Sequence, residues 1–299
     1  MNKVYSGINK IPKAHLAGDI QKGCVAIEGG AFRGLYNEGV LDCFLLNNIN
    51  IHTVIGVSAG ALEGVNYVAG HVGRAARVNL GYRHDSRYIG LKALMTSHCI
   101  LNLNFLTNEL EQIEPLDYER LTSSDRHFIS VVTNCTNGQT EYFDKDNCND
   151  ILLAAKASAT MPYISPMAYL NDTPYLDGGC SCAIPYQWAL DNDFEKIIVI
   201  KTRERGFRVP DKKSQASEII YRNYPEFASV LAQSDIRYNQ QCDEIDRLEE
   251  EGRIFVIAPS EPVTINRVDG DMEKLGELYW LGFNDANNLI DQVKEYLGM

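Results

Sequence analysis

Short apolar runs rich in valine and isoleucine alternate along the chain with longer segments in which apolar residues recur every three or four positions. Five of the short runs predict β-strands, at residues 24–29, 53–57, 128–133, 196–201 and 253–258. Most are apolar at successive positions, as expected for strands that helices cover on both faces of a parallel sheet. Between the first two runs, Val40, Leu41, Phe44 and Leu45 share one helical face. This region therefore predicts a right-handed β-α-β unit.

Turn and cap signals predict two further elements. The segment 140–144 predicts the return strand of a hairpin that turns at Asn137-Gly138. A helix is predicted to begin at residue 149 or 150, whose Asn and Asp side chains suit an N-cap, and to end before Pro162.

The last part of the chain carries two long amphipathic patterns. One predicts a helix over residues 227–252, and the other predicts a helix over residues 271–299. The sequence shows no internal repeat, low-complexity tract or long linker. We therefore expect one α/β core over roughly residues 20–210, with a helical C-terminal portion packed onto it.

Composition and charge narrow the range of functions. The 299 residues are 45% hydrophobic, which is enough for a sizeable core, and the formal net charge is -12. That charge argues against a nucleic-acid partner, since phosphate binding depends on clustered lysine and arginine. Residues 1–20 lack the apolar stretch of a signal peptide, and no run approaches the ~20 residues that cross a bilayer. We expect a cytoplasmic protein; peripheral membrane contact, export without a cleavable signal and the oligomeric state stay open.

The eight cysteines form no disulfide framework and no C-x-x-C pair. Cys180 and Cys182 have the tightest spacing, but a second ligand pair at zinc spacing is missing. Reduced buried thiols are therefore the simpler interpretation. Since no calcium loop of the EF-hand type occurs either, the sequence predicts neither a metal nor a cofactor.

Gly56, Ser58 and Gly60 form a G-x-S-x-G pattern between a predicted strand and a helical segment. This pattern is typical of a nucleophile elbow, where glycines prevent collisions around a serine on a sharp turn. Serine is also a good helix N-cap, so a purely structural role for Ser58 stays open at this point. A histidine base is disfavoured, because His127 is the last of six histidines and a Ser-acid-His order needs one well downstream.

A second pattern, Asp177-Gly178-Gly179, offers a different base. It follows a short apolar run, so the carboxylate is expected at a strand end beside a flexible turn. From there Asp177 can reach Ser58 across the tops of neighbouring strands, and burial raises the pKa of an aspartate and makes it a better base. Asp-Gly is also common turn chemistry, which leaves a bare turn as the alternative.

The stretch IEGGAFRG, residues 27–34, joins a strand to a helix, where anions bind readily. A dinucleotide site is disfavoured because Ala31 interrupts the glycine fingerprint, and a P-loop is disfavoured because no G-K-S/T follows. An oxyanion hole fits better, with N–H groups from Gly29, Gly30 and Ala31 and added charge from Arg33. A tight turn before a helix is the alternative.

Taken in order, EGGAFRG, GVSAG and DGG on one α/β core resemble the motifs of the patatin-like phospholipases. The stretches 84–90, 157–166 and 201–207 are similar to the bacterial branch of that family, so the resemblance covers most of the chain from about residue 21. It implies a three-layer α/β/α sandwich with a mainly parallel central sheet. The implied parts are an N-terminal extension at 1–20, a catalytic domain at 21–210 and a mostly helical region at 211–299 packed on the core.

The resemblance also implies an acyl hydrolase with a Ser–Asp dyad. Ser58 would be the nucleophile and Asp177 the general base, with an oxyanion hole framed by Gly29, Gly30, Ala31 and Arg33. The elbow and the turn would be supported by Gly56, Gly60, Gly178 and Gly179. The implied substrate is a phospholipid or lysophospholipid ester. A carboxylesterase or thioesterase for small acyl groups and an inactive lipid-binding relative are the alternatives.

Two expectations depend on local conformation. Ala31 stands where the family usually has a third glycine, and its methyl group is tolerable if the backbone keeps a negative φ. Residues 75–106 mix apolar and loop character, which predicts a lid over the acyl channel.

Overall fold

The protein folds as a mixed α/β structure, which a computed structural model describes for residues 3–88, 102, 105, 110–123, 125–210 and 216–299. The strands among these residues are β1 (Ala14–His15), β2 (Gln21–Ile27), β3 (Ile51–Val57), β4 (His71–Val72), β5 (His127–Asn134), β6 (Thr140–Phe143), β7 (Ala168–Leu170), β8 (Thr173–Asp177), β9 (Ile197–Ile200) and β10 (Phe255–Ile257). The helices are α1 (Leu35–Leu46), α2 (Ala59–Val68), α3 (Arg74–Tyr82), α4 (Tyr118–Leu121), α5 (Ile151–Ser158), α6 (Tyr186–Asp191), α7 (Ala216–Ile220), α8 (Pro225–Ala232), α9 (Ser234–Glu250) and α10 (Met272–Leu297). Short 3-10 turns lie at Ile8–Lys10, Ala31–Gly34, Leu110–Gln112 and Gly178–Cys180.

The main sheet has the order β10-β9-β2-β3-β5-β8-β7, with β6 paired to β5. The pairs from β10 to β5 are parallel, whereas β6, β7 and β8 run antiparallel to their neighbours. β1 and β4 form a separate antiparallel pair. The sheet is thus mostly parallel, with an antiparallel part beside β5.

Successive strand residues enter two different cores, one on each face of the sheet. In β2, Val25 and Ile27 pack in the core that contains residues of α1, α2 and α10. Cys24 and Ala26 pack instead in the core that contains residues of α6 and α9. All four are fully buried, as expected for a strand covered on both faces. Helices therefore cover both faces, and the predicted three-layer α/β/α sandwich is confirmed.

Most of the predicted elements are present. The five apolar runs correspond to β2, β3, β5, β9 and β10. The predicted hairpin is formed by β5 and β6, and Gly138 in its turn has a φ of +72°. Asp150 caps α5, where its Oδ1 accepts from the N–H groups of Leu152 and Leu153 at 3.0 Å.

The single helix predicted over residues 227–252 is wrong, because the chain breaks at Gln233 into α8 and α9. The two helices face different cores. Phe227 and Ala228 of α8 pack in a small core beside β8, whereas Ile245 of α9 packs against the main sheet. One straight helix cannot present a single apolar stripe to both cores.

The C-terminal helix α10 packs along α1 with very close backbones. A Cβ atom at Gly39 would lie 2.1 Å from the carbonyl oxygen of Tyr279, and one at Gly282 would lie 2.0 Å from that of Tyr36. The C-terminal region therefore shares the core of the α/β part, while the domain boundaries stay predictions. Neither α10, at 26 residues, nor any other helix in the described part of the chain is both long and apolar enough to cross a membrane.

The segment 75–106, predicted as a lid, is described only in part. Residues 75–82 belong to α3, and Ala75, Val78 and Asn79 line a cavity that Ser58 also lines. Residues 89–101, 103–104 and 106 lie outside the described residues. The lid therefore stays a prediction.

Candidate active site

Two strands of opposite direction end against each other on one edge of β5. β3 pairs in parallel with residues 127–131 of β5, and β8 pairs antiparallel with residues 132–134. Because β6 occupies residues 130–133 on the other edge, β3 and β8 must share the same edge. Their meeting ends place Ser58, which follows β3, beside Asp177, the last residue of β8. This end-to-end approach differs from the expected reach across the tops of neighbouring strands.

Ser58 occupies a strained turn between β3 and α2. Its φ of 56° and ψ of -122° are rare for a residue with a side chain. The Ser58 N–H donates to Ser158 Oγ at 2.8 Å, and Ser58 Oγ donates to Asp177 Oδ2 at 2.6 Å. The Oγ makes no capping bond to α2, which removes the helix-cap alternative. A Cβ atom at Gly56 would lie 2.3 Å from the carbonyl oxygen of Gly60, so the turn closes only with glycine there.

The Asp177 carboxylate is buried, and both of its oxygens are hydrogen-bonded. Oδ2 accepts from Ser58, and Oδ1 accepts from the N–H of Gly179 at 2.8 Å. The Asp177 N–H donates to the carbonyl oxygen of Thr160 at 2.8 Å. Burial raises the pKa of Asp177 above its usual value, and the bonds from Ser58 and Gly179 and the charge of Arg267 oppose that rise. Such a carboxylate is a better proton acceptor than an exposed one.

The turn after Asp177 fits tightly against β5. A Cβ atom at Gly178 would lie 2.2 Å from the carbonyl oxygen of Val131. The Thr133 hydroxyl donates to the carbonyl oxygen of Asp177 at 2.9 Å and lies 2.8 Å from Ser181 Oγ. These contacts hold the end of β8, and they fix where the carboxylate points.

The glycine loop before α1 supplies fewer N–H groups than expected. The Gly29 N–H donates to the carbonyl oxygen of Ala183 at 3.2 Å, so backbone pairing already uses this predicted donor. Among the described residues, the N–H groups of Gly30, Ala31 and Ala59 have no acceptor. Ala31 and Ala59 line the cavity beside Ser58. The available donors are therefore two from the loop and one from the start of α2.

Ala31 departs from the expected backbone conformation. Its φ is 50°, in the left-handed region, so the negative φ at which a methyl group is tolerable is not present. A residue with a Cβ atom pays about 1–2 kcal/mol there relative to the right-handed region. The surrounding 3-10 turn nevertheless holds it, with the Arg33 N–H donating to the carbonyl oxygen of Gly30 at 3.1 Å.

Arg33, the charge predicted at the loop, is buried outside the described lining of the cavity. The residue is 8% exposed. Burial lowers the pKa of Arg33 to about 10, with Arg203 adding to the fall and the carboxylate of Glu28 opposing it. Glu28 is itself buried, and its Oε2 accepts from the N–H of Thr202 at 2.7 Å. The part predicted for Arg33 in an oxyanion hole therefore stays a prediction.

A cavity of about 450 Å³ opens beside Ser58. Its walls come from the glycine loop and from α1, α2, α3 and α5, with further residues from the loops that follow α5 and precede α10. The wall is mainly apolar, and its apolar members include Leu62, Val65, Val78, Leu152, Met161 and Ile164. A mostly apolar cavity with a few polar groups is the usual form of a small-molecule site, and here it suits an acyl chain.

Two carboxyl groups in this cavity were not predicted. Glu38 Oε1 accepts from Asn79 Nδ2 at 2.6 Å, and Glu63 Oε2 accepts from Asn37 Nδ2 at 3.0 Å. Burial raises the pKa of Glu38 to about 8, and it raises the pKa of Glu63 well above its usual value, with Glu38 adding to the effect. Burial thus disfavours the charged form of both carboxyl groups.

One group among the described residues has the spacing of metal ligands. His127, Asp144 and Asp146 offer ligand atoms within 4.8 Å of one another at the start of β5, whereas the dyad adjoins its end. His127 Nε2 and Asp144 Oδ2 already lie at hydrogen-bond distance, 3.1 Å apart. Cys180 and Cys182 are buried free thiols. The expectation that the reaction needs no metal stays a prediction.

Family models match two parts of the chain. A model described as "Patatin-like phospholipase" matches residues 25–190, and one described as "Domain of unknown function (DUF6363)" matches residues 224–298. The first match covers more than half of the chain and includes both Ser58 and Asp177.

Individual proteins show the same relationship at lower similarity. "Uncharacterized protein YjjU" of Escherichia coli (strain K12) is 25% identical over 280 residues, covering 88% of this chain and 76% of YjjU. The crystal structure of VipD from Legionella pneumophila has a TM-score of 0.52 at 14% identity, covering 91% of this chain and 67% of VipD. The likeness to VipD concerns the fold alone. Because the first family model spans more than half of the sequence, this chain belongs to the patatin-like phospholipase family.

Proposed function

We propose that the protein is a lipid acyl hydrolase that cleaves carboxylic esters of phospholipids or lysophospholipids with Ser58 as nucleophile and Asp177 as general base. The observation that carries this proposal is the 2.6 Å hydrogen bond from Ser58 Oγ to Asp177 Oδ2, formed beside a mainly apolar cavity. Family membership supports the reaction class. The proposal needs no histidine, which agrees with the absence of histidine after residue 127.

The first step acylates the enzyme. Ser58 Oγ attacks the ester carbonyl carbon while its proton passes to Asp177 Oδ2. The carbonyl oxygen becomes an alkoxide, which accepts hydrogen bonds from the N–H groups of Gly30, Ala31 and Ala59 in this proposal. The C–O bond to the leaving alcohol then breaks, the alcohol takes the proton from Asp177, and the fatty acid remains esterified to Ser58.

The second step releases the fatty acid. A water molecule attacks the acyl carbon and gives a proton to Asp177, and a second alkoxide forms at the same N–H groups. Cleavage of the acyl–Oγ bond returns the proton to Ser58 and frees the fatty acid. The bond from the Gly179 N–H to Oδ1 leaves Oδ2 directed at Ser58 throughout, so one carboxylate serves both steps.

Labelling with a fluorophosphonate probe tests the nucleophile directly. We expect the wild-type protein to be labelled, Ser58→Ala to lose labelling, and Asp177→Asn to be labelled much more slowly because its amide cannot take the proton. In ester hydrolysis both variants should lose at least about 10³-fold in kcat. Ser229→Ala, an exposed serine on α8, is the matched control and should behave like wild type.

The substrate class is tested with the same proteins. Turnover of lysophosphatidylcholine and of phospholipid vesicles by wild type but not by Ser58→Ala supports the lipid hydrolase. Turnover of p-nitrophenyl butyrate with none on either lipid favours the small-ester alternative instead. Labelling that persists in Ser58→Ala, with unchanged turnover, would refute the dyad altogether.

A further inference from the structure

Basic side chains line part of the cavity beside Ser58, although the chain has a net charge of -12. The charged residues in its described lining are Glu38, Glu63, Glu111, Arg74, Arg83, Lys156 and Arg267. Glu38 and Glu63 are buried, which raises the pKa of each and disfavours the charged form, and Arg74 pairs with Glu111 at 3.4 Å. Of the remaining basic residues, Arg83 and Arg267 belong to one side of the lining, and this side favours a ligand with a negative group.

Arg267 lies beside the glycine loop, although it comes from the C-terminal region. Its carbonyl oxygen accepts from the N–H of Phe32 at 3.2 Å, which ties the segment before α10 to the loop. Its guanidinium lowers the pKa of both Asp177 and Arg33, so its charge reaches the dyad. The residue is exposed, and within the described part of the chain its side chain makes no hydrogen bond. It is thus available to a ligand.

Arg83 strengthens the same corner of the cavity. Its guanidinium carbon lies 4.6 Å from the centroid of the Phe32 ring, Nε donates to the carbonyl oxygen of Asp269 at 2.9 Å, and Nη2 donates to that of Val268 at 2.7 Å. Neutral carbonyl groups do not cancel its charge. Arg83 therefore adds positive potential and also holds the turn that carries Arg267.

We propose that Arg267, with Arg83 beside it, binds the phosphate of a glycerophospholipid head group while the acyl ester lies at Ser58. A guanidinium can donate two parallel hydrogen bonds to phosphate oxygens, which fixes both position and orientation. Arg267 then selects phosphate-bearing lipids over neutral acylglycerols. Since it lies within residues 224–298 and outside residues 25–190, it gives the region of unknown function a part in substrate selection. The inference rests on the function proposed above.

The test compares two monoacyl lipids that share one acyl chain. Oleoyl lysophosphatidylcholine carries the phosphate, and monooleoylglycerol lacks it. We expect Arg267→Gln to raise the KM for the phosphate-bearing lipid about tenfold more than the KM for monooleoylglycerol, with a small change in kcat for either. Arg267→Lys should restore only part of the difference, because it keeps the charge but cannot donate the two parallel hydrogen bonds. Arg222→Gln, an exposed arginine outside the cavity lining, should leave both KM values unchanged.

Three outcomes separate the possible failures. If Arg267→Gln lowers kcat/KM equally for both lipids, the residue acts through Asp177 rather than through a head group. If kcat/KM changes for neither lipid, the residue binds no phosphate. Either result overturns the inference. Inorganic phosphate added to the monooleoylglycerol reaction tests for a site that binds free phosphate. If phosphate inhibits only when Arg267 is present, and the enzyme does not prefer the phosphate-bearing lipid, the head-group assignment is overturned. All three results leave the dyad intact, whereas full activity in Ser58→Ala refutes the proposed function itself.

Discussion

The two members of the candidate dyad are held by different kinds of structure. Ser58 sits where a parallel strand in the middle of the sheet turns into α2, and the close packing of Gly56 on Gly60 allows that turn little freedom. Asp177 ends a strand of five residues in the antiparallel part of the sheet. Its position depends on individual hydrogen bonds, including those from Thr133 and Gly179.

This difference indicates which half of the site is more sensitive to change. A turn fixed by backbone packing keeps its shape when one side-chain bond is lost, because many contacts determine it. A short strand end fixed by a few side-chain bonds shifts when one of them is removed, and a shift of 1 Å can cost about 10²-fold in rate. We therefore expect that substitutions of the supporting residues displace Asp177 more than they displace Ser58.

The largest expected effect compares the two supports directly. Thr133→Val removes the hydroxyl bonded to the Asp177 carbonyl oxygen, and Ser158→Ala removes the hydroxyl that accepts from the Ser58 N–H. We expect Thr133→Val to lower kcat about 100-fold and Ser158→Ala only about 10-fold, with similar losses in thermal stability. Ester hydrolysis and melting temperature are measured on both variants. A larger loss of kcat in Ser158→Ala would reverse the comparison.

An effect of intermediate size concerns Glu38, which lines the cavity beside Ser58, and the dependence of stability on pH. The pKa of Glu38 is about 8 in the folded protein against an ordinary value of 4.5, so the folded state holds a proton that the unfolded state releases between these pH values. The free energy of unfolding should therefore fall as the pH rises from about 4.5 to about 8. The melting temperature of the wild-type protein should therefore fall between pH 5.5 and pH 8. In Glu38→Gln this fall should be smaller by several degrees. Glu261→Gln, at an exposed site, is the control, and an unchanged slope in Glu38→Gln would contradict the assignment.

The smallest effect concerns the turn at Ala31. Ala31→Gly should raise the free energy of unfolding by about 0.5 kcal/mol, because relief of the left-handed backbone slightly exceeds the entropy that glycine loses on folding. Ala75→Gly, within α3, should lower it by about 1 kcal/mol. Chemical denaturation of both variants measures the two changes. If both substitutions lower the free energy of unfolding equally, the left-handed backbone at Ala31 costs no measurable stability and the prediction is wrong.

The parallel part of the fold was predictable because its strands are apolar at nearly every position. β8, with the sequence TPYLD, is a short apolar run that predicts a strand end at Asp177, but its direction depends on pairing with β5. The sequence therefore indicates Ser58 and Asp177 as partners, whereas the end-to-end geometry that joins them depends on strand pairing. The break at Gln233 was missed for a related reason, since it depends on which cores lie beside α8 and α9.

Two features of the site had no usable sequence signal. A glutamate such as Glu38 or Glu63 within an amphipathic helix usually marks the solvent face, and only the packing of α3 and α10 around α1 shows that Glu38 is buried. The pairing of the Gly29 N–H with Ala183 joins residues more than 150 positions apart. Local pattern cannot reveal which N–H groups such distant pairing consumes.

The close packing of α1 on α10 at Gly39 and Gly282 has a consequence for the order of folding. The β-α-β unit at the start of the chain can form from local contacts, but Gly39 on α1 packs against Tyr279 on α10, close to the other end of the chain. Contacts between such distant positions form slowly because a long loop must close first. Until then α1 exposes an apolar face on which partly folded chains associate. A chain truncated before α10 should therefore aggregate during refolding, and chaperones should increase the yield of the full-length protein.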